Sequence, residues 1–329
     1  MKKWLGVVGI VVLFLTSASC SAGLFGRDRG AGSDDADYSV AQGSNVPGAL
    51  RGRRWILHIP TGLDQTRPAP LLLVFHGGMG TGAKARKQTA FDPVADRKGF
   101  MVVYPDAAVD SWNDGRKTTR SSTDDVAFVA ALIDYLVANY NVDRQRVYAT
   151  GASNGGMMTQ RLACDLADRI AAFAPVVANM PVPLLENCHP SRPVPILAIY
   201  GGSDPLMPPG GGEIRKGRRS GKGGTVISAR KSIAFWADTA GCSTQPQRER
   251  LPDVDPDDGT RVDRVLYRGC RNGVSVEALD VEGGGHAWPG SETKGFIARR
   301  LMGVASRDIH GSEVIWQFLS RFRLGGQAK

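Results

Sequence analysis

Histidine is scarce in this chain, five among 329 residues, and cysteine is equally scarce, five with no Cys-x-x-Cys pair among them. Structural zinc sites are assembled from closely spaced thiolates and imidazoles, so no metal site is assigned. The longest mostly apolar run, residues 4–15, falls short of the about 20 residues needed to cross a bilayer. No internal repeat occurs, which excludes solenoids and propellers. Interleaved aromatics are missing from the densest basic stretch, where Arg215, Lys216, Arg218, Arg219 and Lys222 sit among glycines. Despite a net charge of +9, nucleic acid is therefore not an expected partner, and the stretch reads as a solvated loop open to anionic polymer.

The N-terminus does carry a signal. Lys2 and Lys3 precede the apolar run, and the small residues Thr16, Ser17, Ala18 and Ser19 lead to Cys20. Residues 1–19 are read as a secretory signal peptide. A cysteine directly after small residues resembles a bacterial lipobox, which makes Cys20 a lipidation site and a membrane the partner of the anchor. Ser17 stands where an aliphatic residue is commonest, so a plain signal peptide is the alternative. Loss of Lys2 and Lys3 leaves +7 on the mature chain. Residues 20–46 are rich in Gly, Ala, Ser and Asp, and such a composition buries too little to offset the entropy of ordering. They read as a flexible tether ahead of one domain, residues 47–329. In an exported chain the four remaining cysteines favour disulfides. Three connectivities are open, of which Cys164 with Cys188 and Cys242 with Cys270 are expected because they tie segments that neighbour each other in the chain.

Residues 71–76, 100–104, 147–150, 173–177 and 196–200 are short runs with little polar alternation. That is the pattern of strands buried on both faces of a parallel sheet. Residues 54–59, 262–267 and 274–279 are further strand candidates. Between them Val129, Leu132, Ile133, Leu136, Val137 and Tyr140 recur at helical spacing, with Ser122-x-x-Asp125 as a capping arrangement. Helices are also expected after residue 153 and over 228–240 and 312–322. The alternation predicts an α/β fold with a mainly parallel central sheet and helices on both faces, its functional groups beyond the carboxyl ends of the strands.

One such end carries Gly151-Ala152-Ser153-Asn154-Gly155, a Gly-x-Ser-x-Gly motif between a strand and a helix. Small residues two before and two after the serine let the backbone turn sharply and leave Oγ clear, so Ser153 is the candidate nucleophile. A hydroxyl needs a base, and the base needs an orienting acid. Of His189, His286 and His310, only His286 lies in a glycine-rich loop following a strand candidate. Asp204 follows the buried run 196–200 through a glycine turn and is the candidate acid. The chain order Ser153, Asp204, His286 is that of α/β-hydrolases. His76-Gly77-Gly78-Met79-Gly80 supplies an oxyanion loop, with the N–H of Gly78, or alternatively Met79, acting with that of Asn154. A phosphate loop is excluded because Ala83 stands where its lysine belongs. His76 reads as structural.

These residues, with Ser111-Trp112-Asn113, Asp124-Asp125-Val126-x-Phe128, Gly202-Ser203-Asp204 and Gly285-His286-Ala287-Trp288-Pro289-Gly290, resemble the extracellular polyhydroxybutyrate depolymerase and feruloyl esterase group of α/β-hydrolases, bacterial lipoproteins included. The resemblance places the triad on Ser153, Asp204 and His286. It implies an exported serine carboxylester hydrolase that works through an acyl-enzyme without cofactor or metal, on feruloyl-type or short hydroxyalkanoate esters. A peptidase of the same fold and a non-catalytic envelope-binding lipoprotein are the other readings. Trp112 and Trp288 are candidate substrate contacts, with buried packing as the alternative.

Overall fold

The computed structural model describes residues 45–64, 66–119, 121–215, 223–292 and 296–327. The expected signal peptide, Cys20 and nearly all of the tether lie outside the described residues, as do residues 216–222 of the basic stretch. The chain runs β1 (Asn45–Leu50), β2 (Arg53–His58), β3 (Ala69–Phe75), α1 (Gly82–Thr89), α2 (Phe91–Lys98), β4 (Met101–Pro105) and α3 (Asp125–Asn139). It continues through β5 (Val142–Ala152), α4 (Asn154–Asp165), β6 (Ala172–Val176), α5 (Val182–Leu185) and β7 (Ile196–Gly201). A short ribbon, β8 (Gly212–Glu213) with β9 (Thr225–Val226), precedes α6 (Ala229–Thr239). The last elements are β10 (Gln247–Arg250), β11 (Arg261–Tyr267), β12 (Val276–Glu282), α7 (Phe296–Met302), α8 (Gly311–Leu319) and the pair β13 (Phe322–Arg323) and β14 (Gly326–Gln327).

Ten strands form one sheet in the order β1-β2-β4-β3-β5-β6-β7-β12-β11-β10. The six from β4 to β12 run parallel, and the two at each end are antiparallel. Every residue of β3 is buried, because both of its faces are covered. Leu71, Leu73 and Phe75 pack with Phe128 and Leu132 of α3, Leu162 of α4 and Trp236 of α6. Leu72 and Val74 point the other way, towards Ala85 of α1, Val94 of α2 and Ile315 of α8. On that second side Trp316 stacks on Phe100 with ring centroids 3.5 Å apart. The α/β-hydrolase fold read from the sequence is the fold observed.

Local differences have local causes. Strand β1 begins at Asn45, two residues inside the segment read as tether, because its backbone pairs with β2 although no side chain in it is fully buried. The cap of α3 is Asp124, not Ser122: its carboxylate accepts the N–H of Ala127 at 2.9 Å. Asp125 is instead fully buried, accepting the N–H of Asn113 at 2.6 Å and pairing with Arg53. Both expected disulfides are present, Cys164–Cys188 and Cys242–Cys270. The ribbon β8–β9 pairs Gly212 with Val226 and Glu213 with Thr225, closing the chain on either side of residues 216–222. Beyond it Ile214 donates to the carbonyl of Gly224, and Arg215 to that of Leu206, each at 2.9 Å.

Candidate active site

Ser153 sits between the end of β5 and the start of α4 with φ 57° and ψ −119°, a conformation that non-glycine residues rarely adopt. The surroundings hold it there. Its N–H donates to the carbonyl of Val176 on β6 at 2.9 Å, and its own carbonyl accepts from Met157 at 2.8 Å. A Cβ on Gly151 would lie 2.7 Å from the carbonyl oxygens of Gly155 and Phe75, and one on Gly155 would lie 2.2 Å from that of Phe75. The motif glycines are thus a packing requirement as well as a turning one, because α4 starts directly against the end of β3.

Asp204 follows β7 by three residues and is buried. Its Oδ1 accepts the N–H groups of Leu206 and Met207, both at 2.8 Å, which fixes the carboxylate plane. Its Oδ2 lies 2.6 Å from Nδ1 of His286, a residue from the loop after β12. Parallel pairing of β7 with β12 brings the two loops together, so closely that a Cβ on Gly201 would sit 2.3 Å from the carbonyl oxygen of Gly285. The main-chain N–H of His286 donates to Met302 at 2.5 Å. With Nδ1 engaged by the carboxylate, Nε2 is the nitrogen left to serve a neighbouring hydroxyl. No hydrogen bond joins Ser153 to His286 among the described residues; such contacts tighten when substrate is bound.

Ser153 and His286 share the wall of one cavity of about 960 Å³, together with Gly77 and Gly78 from the loop after β3. Apolar wall comes from Met79, Met157, Leu206 and Ile214, while Lys84 and Arg215 bring positive charge and Asp110 negative. That is room for a drug-sized ligand, with apolar and polar groups both well represented in the wall.

Residues 54–182 match the profile of the esterase PHB depolymerase family. Over 289 residues the chain is 32% identical to NocK of Nocardia uniformis subsp. tsuyamanensis, an esterase by name, covering 84% of this chain and 81% of that protein. The chain belongs to the esterase PHB depolymerase family. Feruloyl esterase B of Piromyces equi is 32% identical over 241 residues, 71% of this chain, which spans only 42% of that protein. Poly(3-hydroxyalkanoate) depolymerase C of Paucimonas lemoignei is 26% identical over 281 residues, covering 78% and 64% of the two chains. Among solved structures, the acetyl xylan esterase from Aspergillus awamori superposes with a TM-score of 0.58 at 14% identity, over 84% of this chain and 99% of that one. The protein is an esterase, a hydrolase of carboxylic esters.

The esterase does not use its two motif tryptophans as cavity wall. Trp112 is fully buried and Trp288 almost so, and neither borders the cavity. Trp112 donates Nε1–H to the carbonyl of His76 at 3.1 Å, and Trp288 donates to Ser312 Oγ at 3.1 Å while packing edge-on against Phe91. The expected substrate contacts are thereby corrected to interior packing, with each indole N–H satisfied as buried indoles require. His189 is exposed and borders no part of the cavity, and His310 occupies the residue before α8. Met79, the alternative oxyanion donor, spends its N–H on the carbonyl of Asp110 at 2.6 Å. Sequence reasoning missed Asp114 and Arg116, a buried ion pair beside Asn154; their spacing carries no local signature.

His76 is structural, as read. Its Nδ1 lies 2.8 Å from the carbonyl of Gly77 and donates to it, and its Nε2 accepts the N–H of Ala107 at 3.1 Å. Both contacts suit the neutral ring, and burial holds the pKa below the ordinary histidine value. Unfolding returns the imidazole to a pKa of about 6.5, so the unfolded chain takes up the proton first as pH falls. The contribution of His76 to stability is present above about pH 6.5 and is lost below it. Urea midpoints are expected to fall between pH 7.5 and pH 5.5, and to fall less in His76→Asn; equal slopes in the two proteins would exclude this origin.

Proposed function

We propose that Ser153, His286 and Asp204 form the catalytic triad of this esterase, with the N–H groups of Gly78 and Asn154 as oxyanion donors. The observation that carries the reading is the bond from Asp204 to His286, whose imidazole shares a cavity wall with a serine in a strained elbow. Ser153 Oγ attacks the ester carbonyl while its proton passes to Nε2 of His286; Asp204 holds the ring tautomer and steadies the imidazolium. The tetrahedral oxyanion takes hydrogen bonds from Gly78, whose neighbour Met79 has its own N–H committed, and from Asn154 at the start of α4. Collapse expels the alcohol with the proton from His286. Water, deprotonated by the same imidazole, then attacks the acyl-enzyme and releases the acid.

Feruloyl-type esters and short hydroxyalkanoate esters are the proposed substrates, on the strength of the relatives' names. Export with a lipid on Cys20 is supported by the N-terminal pattern and by two disulfides. A panel of methyl ferulate, p-nitrophenyl esters of increasing chain length and hydroxybutyrate oligomers tests the substrate class, and a fluorophosphonate probe tests the nucleophile. Turnover of one ester class and labelling confined to Ser153 are expected. An unlabelled Ser153 would favour a non-catalytic binding role, and turnover of peptides over all esters would favour a peptidase. Metabolic labelling with a palmitate analogue reads out Cys20 directly.

A further inference from the structure

The two proposed oxyanion donors belong to different parts of the chain, the loop after β3 and the start of α4, yet they must keep a fixed separation. We propose that the segment from Trp112 to Arg116 is a buried strut that sets this separation, with Asp114 as its positioning residue. The proposal rests on the reading of Gly78 and Asn154 as donors.

Trp112 touches both halves. Its indole N–H donates to the carbonyl of His76, two residues before Gly78, at 3.1 Å. Its main chain pairs with the side chain of Asn154: the N–H of Trp112 donates to Oδ1 at 2.7 Å, and its carbonyl accepts from Nδ2 at 3.0 Å. Asn154 Nδ2 also donates to Oδ2 of Asp114 at 2.6 Å. A carboxylate is an acceptor only, so this bond fixes which end of the amide is the nitrogen. Held at both ends, the Asn154 side chain cannot rotate, and the main-chain N–H beside it keeps its aim.

Asp114 is fully buried, and its charge is met on the spot. Arg116 places Nε 3.0 Å from each carboxylate oxygen and Nη2 2.7 Å from Oδ2, while its main-chain N–H reaches Oδ1 at 3.1 Å. Arg116 is itself anchored on the carbonyl of Gly223. A planar, two-point ion pair of this kind holds direction as well as charge. Both Asp114 and Trp112 lie outside the cavity wall, so neither meets substrate.

A residue that only stabilises the fold would lower the thermal midpoint and leave the chemistry of the surviving enzyme unchanged. A positioning residue acts on the transition state. Asp114→Asn keeps the shape and discards the charge; Trp112→Phe keeps an aromatic side chain, deletes the bond to His76 and gives up part of the indole's buried volume. Misplacement by about 1 Å at a reacting centre costs on the order of 100-fold in rate. In each variant kcat on p-nitrophenyl acetate is expected to fall about 10- to 100-fold while KM stays within about twofold. The inhibition constant of an aryl trifluoromethyl ketone, which forms a tetrahedral oxyanion on the serine, is expected to weaken by the same factor as kcat/KM. Should Asp114→Asn not fold, Trp112→Phe carries the test.

Wild-type kcat in both soluble variants, or a fall in kcat with unchanged ketone affinity, overturns the strut alone. Full turnover in Ser153→Ala overturns the triad reading and the strut together.

Discussion

Replacing Ser153 by alanine is expected to lower turnover of p-nitrophenyl acetate by about 10⁴- to 10⁶-fold, the range seen when the nucleophile of a serine triad is removed. The residue carries no structural duty through its side chain. Its backbone is held by Val176 and Met157, bonds that alanine keeps, and alanine must enter the same strained φ of 57°. The thermal midpoint is therefore expected to stay within about 2 °C of wild type, by the usual smallness of changes that disturb no packing. Loss of rate with an intact fold separates chemistry from folding. Retention of more than about 1% of turnover, well above what triad loss allows, would remove Ser153 from the mechanism.

Gly155→Ala is expected to act through the opposite route. The new methyl would lie 2.2 Å from the carbonyl oxygen of Phe75 and 2.5 Å from that of His76, both backbone atoms at the end of β3. Neither side can yield freely: β3 is paired on both edges, and α4 is fixed by the elbow. Either the helix start moves away from the oxyanion loop, at a cost on the order of 100-fold in rate, or the protein loses about 3 kcal/mol or more of stability from overpacking. Urea midpoints and p-nitrophenyl acetate kinetics measure the two losses side by side. Gly210→Ala is the control, since a Cβ there meets nothing within 4 Å, and it is expected to be silent in both. An equally silent Gly155→Ala would mean that the close approach of α4 to β3 has no energetic meaning.

The central strands were legible in the sequence because burial on both faces leaves continuous apolar runs such as that of β3. The edge strands were not. Strand β10 is Gln-Arg-Glu-Arg, exposed throughout, and β1 alternates exposed with half-buried residues. What makes them strands is a backbone partner, and a partner is a tertiary fact. Helices α1 and α2 also escaped, being short and carrying few apolar residues outside Ala85, Phe91, Val94 and Ala95.

The same division runs through the site. Ser153, Asp204 and His286 announce themselves because each stands at a strand end among glycines, where the chain has little other reason to place those residue types. The tryptophans misled because an indole has the same appearance in a motif whether it faces substrate or the interior. Its destination is decided by distant partners, the carbonyl of His76 for Trp112 and the hydroxyl of Ser312 for Trp288. Asp114 and Arg116 gave no signal, since two charges at this spacing on any surface loop look alike. Only burial turns them into a fixed pair.

The ribbon of β8 and β9 makes the chain between its strands an exchangeable cassette. The stem is closed by its own backbone bonds, and for a flexible insert each doubling of length adds only about 0.6 kcal/mol of closure entropy. Ile214 and Arg215, just inside the stem, already border the cavity. New lengths and charges can therefore be tried in this segment, by selection or by design, while Ser153, His286 and Asp204 stay beyond strand ends that the exchange does not reach.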